Sequence, residues 1–163
     1  MNNSPLVSIN IPVYKCEDYI YRCLESVVNQ TYQNIEIILV NDCTPDNSIS
    51  IIEDFIQKHN DFDIKLIHHK ENGGLSVVRN TGIENSNGEY IYFLDSDDDI
   101  TNDCIEKLVK NALENDTEMV IAQNRWINTF DNSTKDYGFA TNFSKLIFLD
   151  NFSIFKAYCE GSF

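Results

Sequence analysis

Basic residues are scarce in this 163-residue sequence, which has 12 Lys and Arg against 26 Asp and Glu and a net charge of −14 at pH 7. Nucleic acids and anionic membrane surfaces attract proteins through basic patches, so we expect neither as a partner. A nucleotide bound by this chain would be a small ligand that is held together with a metal ion.

Long apolar runs are also missing. The N-terminal segment Met1–Pro5 leads into a short apolar run without a basic region or a long hydrophobic core. The sequence therefore predicts neither a signal peptide nor a transmembrane segment, and we expect a cytoplasmic protein. Any peripheral attachment to the inner face of the membrane would come from sequence beyond Phe163.

Cysteine pairs with metal-site spacing are absent too. The five cysteines are an odd number without a C-x-x-C pair, which favours reduced thiols over disulfides or zinc at Cys16, Cys23, Cys43, Cys104 and Cys159. His68 and His69 lie in a predicted strand, where neighbouring side chains point to opposite faces, so we do not expect them to share a metal.

The sequence does contain short apolar runs that recur at similar intervals, at Val7–Ile11, Ile35–Val40, Ile64–His68 and Tyr90–Leu94. A helical pattern follows each of the first three runs, and this alternation is typical of parallel βαβ units. The near-continuous apolar character indicates strands buried on both faces. We predict an α/β fold in one domain over residues 1–163, with an open, mainly parallel sheet flanked by helices.

Capping residues predict where two helices begin. Thr44 and Pro45 are expected to form the N-cap and first turn of the second helix. Thr101 or Asn102 is expected to cap a helix that runs to Asn115.

The C-terminal part is less regular. Met119–Ala122 predicts a further strand, and Lys135–Gly138 predicts a turn. Ile147–Tyr158 mixes aromatic residues with a short helical pattern.

The run Tyr90–Leu94 ends abruptly in four carboxylates, at Asp95, Asp97, Asp98 and Asp99. An Asp-x-Asp turn at the carboxyl end of a strand offers hard oxygen ligands for Mg²⁺ or Mn²⁺ bridging a diphosphate. A solvated acidic turn before a helix is the alternative, and from these residues alone the two interpretations are equally balanced.

Two polar segments follow the first two predicted strands. After the first, Tyr14 could stack on a planar base and Pro12 could shape the turn, or the aromatic ring could simply cover the edge of the core. After the second, Asp42 could accept a hydrogen bond from the N–H of a base, or it could stabilise a turn.

A glycine-rich segment follows the third predicted strand. Gly73 and Gly74 permit close approach of the backbone to a ligand, and Arg79 supplies a cation near where a phosphate could lie. The segment lacks the P-loop pattern, and a plain loop with a surface arginine is the alternative. All four features nevertheless fall at the edge where open α/β sheets bind ligands, which favours a binding site.

These residues resemble glycosyltransferases of family 2, which have the GT-A fold. The resemblance covers about residues 5–125 and is carried by Val7–Tyr14, Glu17, Ser26–Thr31, Glu36–Asp42, Asn72–Gly82 and Leu94–Asp98. It implies contacts with the nucleotide for Pro12, Tyr14, Glu17, Asp42, Arg79, Asp95 and Ser96. It further implies that Asp42 pairs with the base, that Asp95 approaches the ribose and that Asp97 ligates Mn²⁺ or Mg²⁺ on the donor diphosphate.

The resemblance implies an inverting glycosyltransferase that moves a sugar from a nucleotide-diphosphate donor, expected to be a UDP-sugar, to an acceptor hydroxyl. The acceptor would be a glycan or glycolipid in surface polysaccharide or glycolipid synthesis. A sugar nucleotidyltransferase is one alternative, although the basic glycine-rich loop it needs near the first strand is missing. A non-catalytic metal-binding α/β domain is the other.

Two departures from the family pattern stand out. Asn41 replaces the first residue of the usual acidic pair, and Cys43-Thr44 follows where Gly-Ser is usual. The family's catalytic base commonly lies in a Glu-Asp pair, and no such pair occurs between Met119 and Phe163. The base is therefore expected beyond Phe163, in a chain truncated on the acceptor side and inactive in transfer by itself.

Overall fold

The computed structural model describes residues 4–121, 124–127 and 133–137. The chain divides into two compact units, Met1–Thr117 and Glu118–Phe163. The assignment of one domain to residues 1–163 stays a prediction.

The first unit is built on a sheet of four strands, β1 (Val7–Val13), β2 (Ile35–Asn41), β3 (Ile64–His68) and β4 (Tyr90–Phe93). The strand order is β3-β2-β1-β4, and every pairing is parallel. Val7 of β1 is in register with Ile35 of β2 and with Tyr90 of β4. The predicted α/β fold with an open parallel sheet is confirmed. Every residue of β2 is buried, which explains why the strand is apolar at all positions except Glu36 and Asn41.

Four helices connect or follow these strands, namely α1 (Ile20–Val28), α2 (Ser48–Lys58), α3 (Leu75–Glu84) and α4 (Cys104–Asn115). Their apolar positions recur at helical spacing and face the sheet; in α1 these are Ile20, Cys23, Leu24 and Val27. Those of α1, α2 and α4 join inward residues of the strands in the main core cluster, whereas Val78 of α3 packs with Ile38 and Val40 of β2 in a second cluster.

Close packing of α3 on β1 depends on Gly82. A Cβ added there would lie 3.0 Å from Cγ of Asn10 in β1. The absence of a Cβ at Gly82 therefore lets α3 lie close against β1.

The predicted start of α2 was wrong. Thr44 does not cap the helix, because its hydroxyl donates to Asp46 Oδ1 at 2.6 Å, and the same oxygen accepts the Ser48 hydroxyl at 2.7 Å. These side-chain bonds stabilise a turn over 44–48 in competition with the helix, so α2 begins at Ser48 with Asn47 as its N-cap.

The predicted start of α4 was early as well. The helix begins at Cys104 after Asp103 as N-cap, and Thr101 instead donates its hydroxyl to Asp103 Oδ1 at 3.0 Å. Its end at Asn115 is confirmed, with Asp116 in the left-handed conformation as the C-cap.

In the second unit, β5 (Asn124–Ile127) and β6 (Thr134–Tyr137) form an antiparallel pair. The strand predicted for Met119–Ala122 was wrong over 119–121, where Met119 and Ile121 are exposed and join no ladder; Ala122 lies outside the described residues. The turn predicted from Lys135 was also wrong, because pairing with β5 overrides the local preference of 135–137. Gly138 and the pattern over Ile147–Tyr158 lie outside the described residues.

In the described ranges, no helix is both long enough and apolar enough to cross a lipid bilayer. Cys16, Cys23, Cys43 and Cys104 carry free thiols, and Cys159 falls in a range the structure does not describe.

Candidate functional site

The parallel sheet brings four loops to one edge. Tyr14 follows β1, Asp42 follows β2, Gly73 and Gly74 join β3 to α3, and Asp95 comes shortly after β4. The carboxyl ends of parallel strands meet at the same edge, which is where α/β proteins bind ligands.

Asp42 organises the glycine-rich loop. Its Oδ1 accepts the backbone N–H of Gly73 at 2.8 Å, and its Oδ2 accepts that of Gly74 at 2.8 Å. The side-chain amide of Asn72 donates to the Asp42 carbonyl at 3.1 Å. Asp42 is only 3% exposed, so these bonds hold the loop directly over the end of β2.

The charge state of Asp42 follows from these donors. Burial raises the pKa of this carboxyl, but the N–H of Gly73, the ring of His69 and the N–H of Gly74 outweigh burial and hold the pKa below its ordinary value. The carboxylate is therefore ionised near neutral pH and acts only as an acceptor. His69 must then carry its proton on Nδ1, which lies 2.9 Å from Asp42 Oδ1.

His69 is a site residue that the sequence reasoning missed. Its Nε2 lies 2.9 Å from the Thr81 hydroxyl of α3, so the ring links Asp42 to that helix. The neighbouring His68 turns the other way and places its Nδ1 3.0 Å from the Asn41 amide. The sequence could have indicated His69 as a site residue, because it directly follows β3 at the ligand-binding edge.

The loops after β1 and β2 are bonded to each other. The N–H of Lys15 donates to the Thr44 hydroxyl at 2.7 Å, and the N–H of Asn47 donates to Glu17 Oε2 at 2.8 Å. The carboxylate of Glu17 thus supports the start of α2. The Tyr14 ring is 45% exposed and lies beside the Lys15 ammonium, and Pro12 is partly buried.

Two residues of these loops have a left-handed backbone, Lys15 with φ of 52° and Cys43 with φ of 57°. This conformation is unfavourable for residues with a Cβ, so the surrounding bonds must maintain it. Cys43 directly follows Asp42, and its thiol donates to the His69 carbonyl at 3.2 Å.

Arg79 and Asp95 are paired at this edge. Arg79 Nη2 donates to Asp95 Oδ1 at 2.8 Å, and the guanidinium lies 5.8 Å from the centre of the Phe93 ring. Arg79 Nε is buried and has no hydrogen-bond partner in the described ranges. The structure therefore brings together two residues that the sequence assigned separately to the nucleotide.

The rest of the acidic turn faces solvent. The N–H of Asp98 donates to the Asp95 carbonyl at 3.0 Å, which closes the turn, and Asp97, Asp98 and Asp99 are exposed. Partial desolvation of its carboxyl, followed by the charges of Asp97, Asp95 and Asp99, raises the pKa of Asp98. Repulsion of this kind is relieved by a cation.

The turn has suitable chemistry for Mg²⁺ or Mn²⁺. These ions take carboxylate oxygens, and Mg²⁺ commonly uses one or two carboxylates together with substrate phosphates. Over the described ranges, no three His, Cys, Asp or Glu side chains come together in a site that could hold a metal unaided. The residues therefore fit a cation shared with a phosphorylated ligand, with Ser96 and Asp97 at the tip of the turn.

A family model described as glycosyl transferase family 2 matches residues 8–159 of the chain. Uncharacterized glycosyltransferase EpsJ of Bacillus subtilis (strain 168) is 46% identical over 116 residues. That match covers 71% of this chain, and the chain spans only 33% of the length of EpsJ.

Two solved structures share the fold. S. aureus TarS (residues 1–349) in complex with UDP-GlcNAc aligns with a TM-score of 0.62 and 28% identity, over 67% of this chain and 31% of TarS. The mannosyltransferase PcManGT of Pyrobaculum calidifontis, in complex with GDP-Man and Mn²⁺, aligns with a TM-score of 0.65 and 23% identity, over 68% of this chain and 33% of that one. The predicted GT-A fold is confirmed.

Proposed function

The chain belongs to glycosyl transferase family 2, and from this premise we propose that it forms the donor-binding part of an inverting glycosyltransferase. The donor is a nucleotide-diphosphate sugar, most simply a UDP-sugar. The observation that carries the proposal is the joining of Asp42, the glycine-rich loop and the acidic turn at one edge of a parallel sheet. TarS, at 28% identity, is solved with UDP and with UDP-GlcNAc, which supports uridine as the base.

Asp42 is the proposed contact for the base. Among the residues that the structure describes, Asp42 Oδ1 accepts two donors, from Gly73 and His69, whereas Oδ2 accepts only the N–H of Gly74. A carboxylate oxygen has two acceptor positions, so the imide N–H of uracil would bond to Oδ2. Adenine has no imide N–H, so this contact favours uridine over adenosine. Tyr14 and Pro12 would cover the faces of the base.

Asp95 is the proposed contact for the ribose, with Ser96 beside it. An unpaired carboxylate there would repel the diphosphate, and the ion pair with Arg79 offsets that repulsion. Arg79 thus serves the nucleotide in two ways, since it orients Asp95 and places a cation near the phosphates. Glu17 would act from the loop after β1, through the start of α2.

Asp97 is the proposed ligand for Mn²⁺ or Mg²⁺. When bound, such an ion supplies Lewis-acid stabilisation of the diphosphate as it leaves. Asp97 and its neighbours in the turn would hold the ion through hard oxygens, while Asp95 is paired with Arg79. In this proposal Asp95 serves recognition of the nucleotide, whereas Asp97 serves stabilisation of the leaving diphosphate.

The proposed reaction is attack of an acceptor hydroxyl on the anomeric carbon, opposite the leaving diphosphate, which inverts that carbon. A base must take the hydroxyl proton. Its assignment to sequence beyond Phe163 stays a prediction, as does an acceptor in surface polysaccharide or glycolipid synthesis. Nucleotidyl transfer and a non-catalytic metal-binding domain are not favoured, because the family match extends over residues 8–159.

A thermal-unfolding screen of nucleotide sugars with Mn²⁺ tests the proposal. At a hundredfold excess over the dissociation constant, a UDP-sugar is expected to stabilise the chain by about 2.7 kcal/mol. ADP-sugars should stabilise it much less. The proposal would be contradicted if no nucleotide sugar stabilised the chain, or if uridine and adenosine compounds did so equally.

A further inference from the structure

Helix α1 runs beside the acidic turn and bonds to it in order. Arg22, Ser26 and Gln30 are spaced by four residues and lie along one side of the helix and its extension. Arg22 Nη2 donates to the Asp97 carbonyl at 3.5 Å, and the Ser26 hydroxyl accepts the N–H of Ile100 at 3.2 Å. Successive residues along α1 therefore contact successive residues along the turn.

Gln30 is the buried member of this series, at 2% exposure. Its Nε2 donates to the carbonyls of Thr101 at 2.8 Å and Ser26 at 2.9 Å, and its Oε1 accepts the N–H of Ile105 at 3.0 Å. Two carbonyls require the NH₂ group and one N–H requires the oxygen, so these partners fix the orientation of the amide.

The bond to Ile105 caps α4 from a distance. The first N–H groups of a helix lack partners within it. Asp103, the N-cap of α4, makes no side-chain capping bond, and its carboxylate instead contacts Thr101 and Lys107. Gln30 therefore ties the start of α4 and the chain just after the acidic turn to the end of α1.

The acidic turn needs a restraint such as the one Gln30 provides. Four carboxylates lie within five residues, and their repulsion favours an open arrangement. The only ion pair between α1 and the turn in the described ranges, Arg22 with Asp99 at 3.6 Å, is 56% and 47% exposed, so it contributes at most about 1 kcal/mol. The buried amide of Gln30 is the stronger restraint.

We propose that Gln30 is a positioning residue for the metal site at Asp97: through Thr101 and Ile105 it holds the acidic turn in the shape that the cation and diphosphate require. It touches neither ligand. The inference rests on the proposed function, because that function assigns the metal to Asp97. Gln30→Met, which is similar in size and makes none of the three bonds, should weaken the metal site selectively.

The test measures UDP affinity in Mn²⁺ and in chelator, together with hydrogen exchange at the Ile100 and Ile105 amides without ligand. For Gln30→Met, the Mn²⁺-dependent gain in UDP affinity should fall about 10- to 100-fold, as for supporting residues of other metal sites. UDP affinity in chelator should stay within about twofold, and both amides should exchange faster. Gln57→Met, at an exposed glutamine of α2, is the matched control.

Two further variants keep the test decisive. Glu36→Gln destabilises the opposite edge of the sheet and should leave the Mn²⁺-dependent gain unchanged; a loss equal to that of Gln30→Met would overturn the proposal. Ser26→Ala removes the restraint on Ile100, together with a bond inside α1 from the hydroxyl to the Cys23 carbonyl. It replaces Gln30→Met if that variant does not fold. An unchanged gain in the folded variant would also overturn the proposal. A wild-type chain without any gain from Mn²⁺ would instead refute the metal assignment at Asp97 and this inference with it.

Discussion

At the scale of single residues, Asp42 combines an observed structural role with a proposed role in recognition of the base. One carboxylate orders a glycine-rich loop through two backbone N–H groups and fixes a histidine ring through a third bond. In the proposed complex, the remaining acceptor position of Oδ2 would take the N–H of the base. This arrangement explains why the residue is buried and charged, although a buried charge is costly without such partners.

Asp42→Asn should both destabilise the fold and reduce UDP affinity. An amide NH₂ would face the N–H of Gly73 or Gly74, leaving a buried donor unsatisfied at a cost of about 1–3 kcal/mol. Because the folded-state pKa of Asp42 is lowered, its charge stabilises the fold above the unfolded value near 3.8 and loses that effect as the pH falls below it. Urea unfolding and UDP titration at pH 7 check this, with the exposed Asp54→Asn as control. Equal behaviour of the two variants would contradict it.

Cys43 offers a separate test of backbone strain. Its φ of 57° suits glycine, the residue that the related family usually has at this point. Cys43→Gly relieves the strain and Cys43→Ala retains it, while both remove the thiol. The Gly variant should therefore be about 1 kcal/mol more stable than the Ala variant, the reverse of their order in a helix. A more stable Ala variant, measured by urea unfolding, would refute the strain.

At the scale of secondary structure elements, the sheet was predictable and the helix starts were not. The strands β1 to β4 are apolar because they are buried in the sheet. Their apolar runs can therefore be recognised in the sequence without knowledge of the structure. The start of α2 depends on a side-chain turn around Asp46, and the bonding of β6 depends on its partner strand. Neither can be read from the segment itself.

The site shows the same division. The positions of Asp42, Arg79 and Asp95 at one edge follow from the order of the strands. The bonds around them do not, because His69 contacts Asp42 and Gln30 contacts Thr101 across segments that are distant in the sequence. The family motifs indicated which segments matter, but not the bonds that join them.

The amino-terminal edge of the sheet is held by Glu36. This buried carboxylate accepts the Ser8 hydroxyl at 2.6 Å, the Lys65 ammonium at 2.8 Å and two N–H groups of Asn87, so it links β1, β2 and β3 to the segment before β4. Burial raises the pKa of Glu36, but these donors outweigh it and bring the pKa to about 2.

Glu36→Gln should remove a pH-dependent part of the stability. The lowered folded-state pKa means that the contribution is fully present above about pH 4.5 and is lost as the pH falls towards 2. The difference corresponds to about 3 kcal/mol. Urea unfolding of the wild type and the variant between pH 7 and 2 should show curves that converge on acidification. Glu53→Gln, on the exposed side of α2, controls for the lost charge; a gap that stays constant with pH would contradict the assignment.

At the scale of the whole molecule, an acidic chain is proposed to bind an anionic donor. With a net charge of −14 the protein as a whole repels a diphosphate, so local groups must reverse the sign. In the proposed complex, Arg79 would supply part of this. A divalent cation at the acidic turn would supply the rest, which makes metal dependence the central claim.

Calorimetric titration of UDP into the chain, with Mn²⁺ and then with a chelator, tests that claim most directly. The wild type should bind UDP at least about tenfold more weakly in chelator, a difference of about 1.4 kcal/mol. Asp97→Asn should bind in Mn²⁺ as weakly as the wild type does in chelator, whereas Asp99→Asn should keep most of the gain. Equal affinity of the wild type under the two conditions would contradict the account.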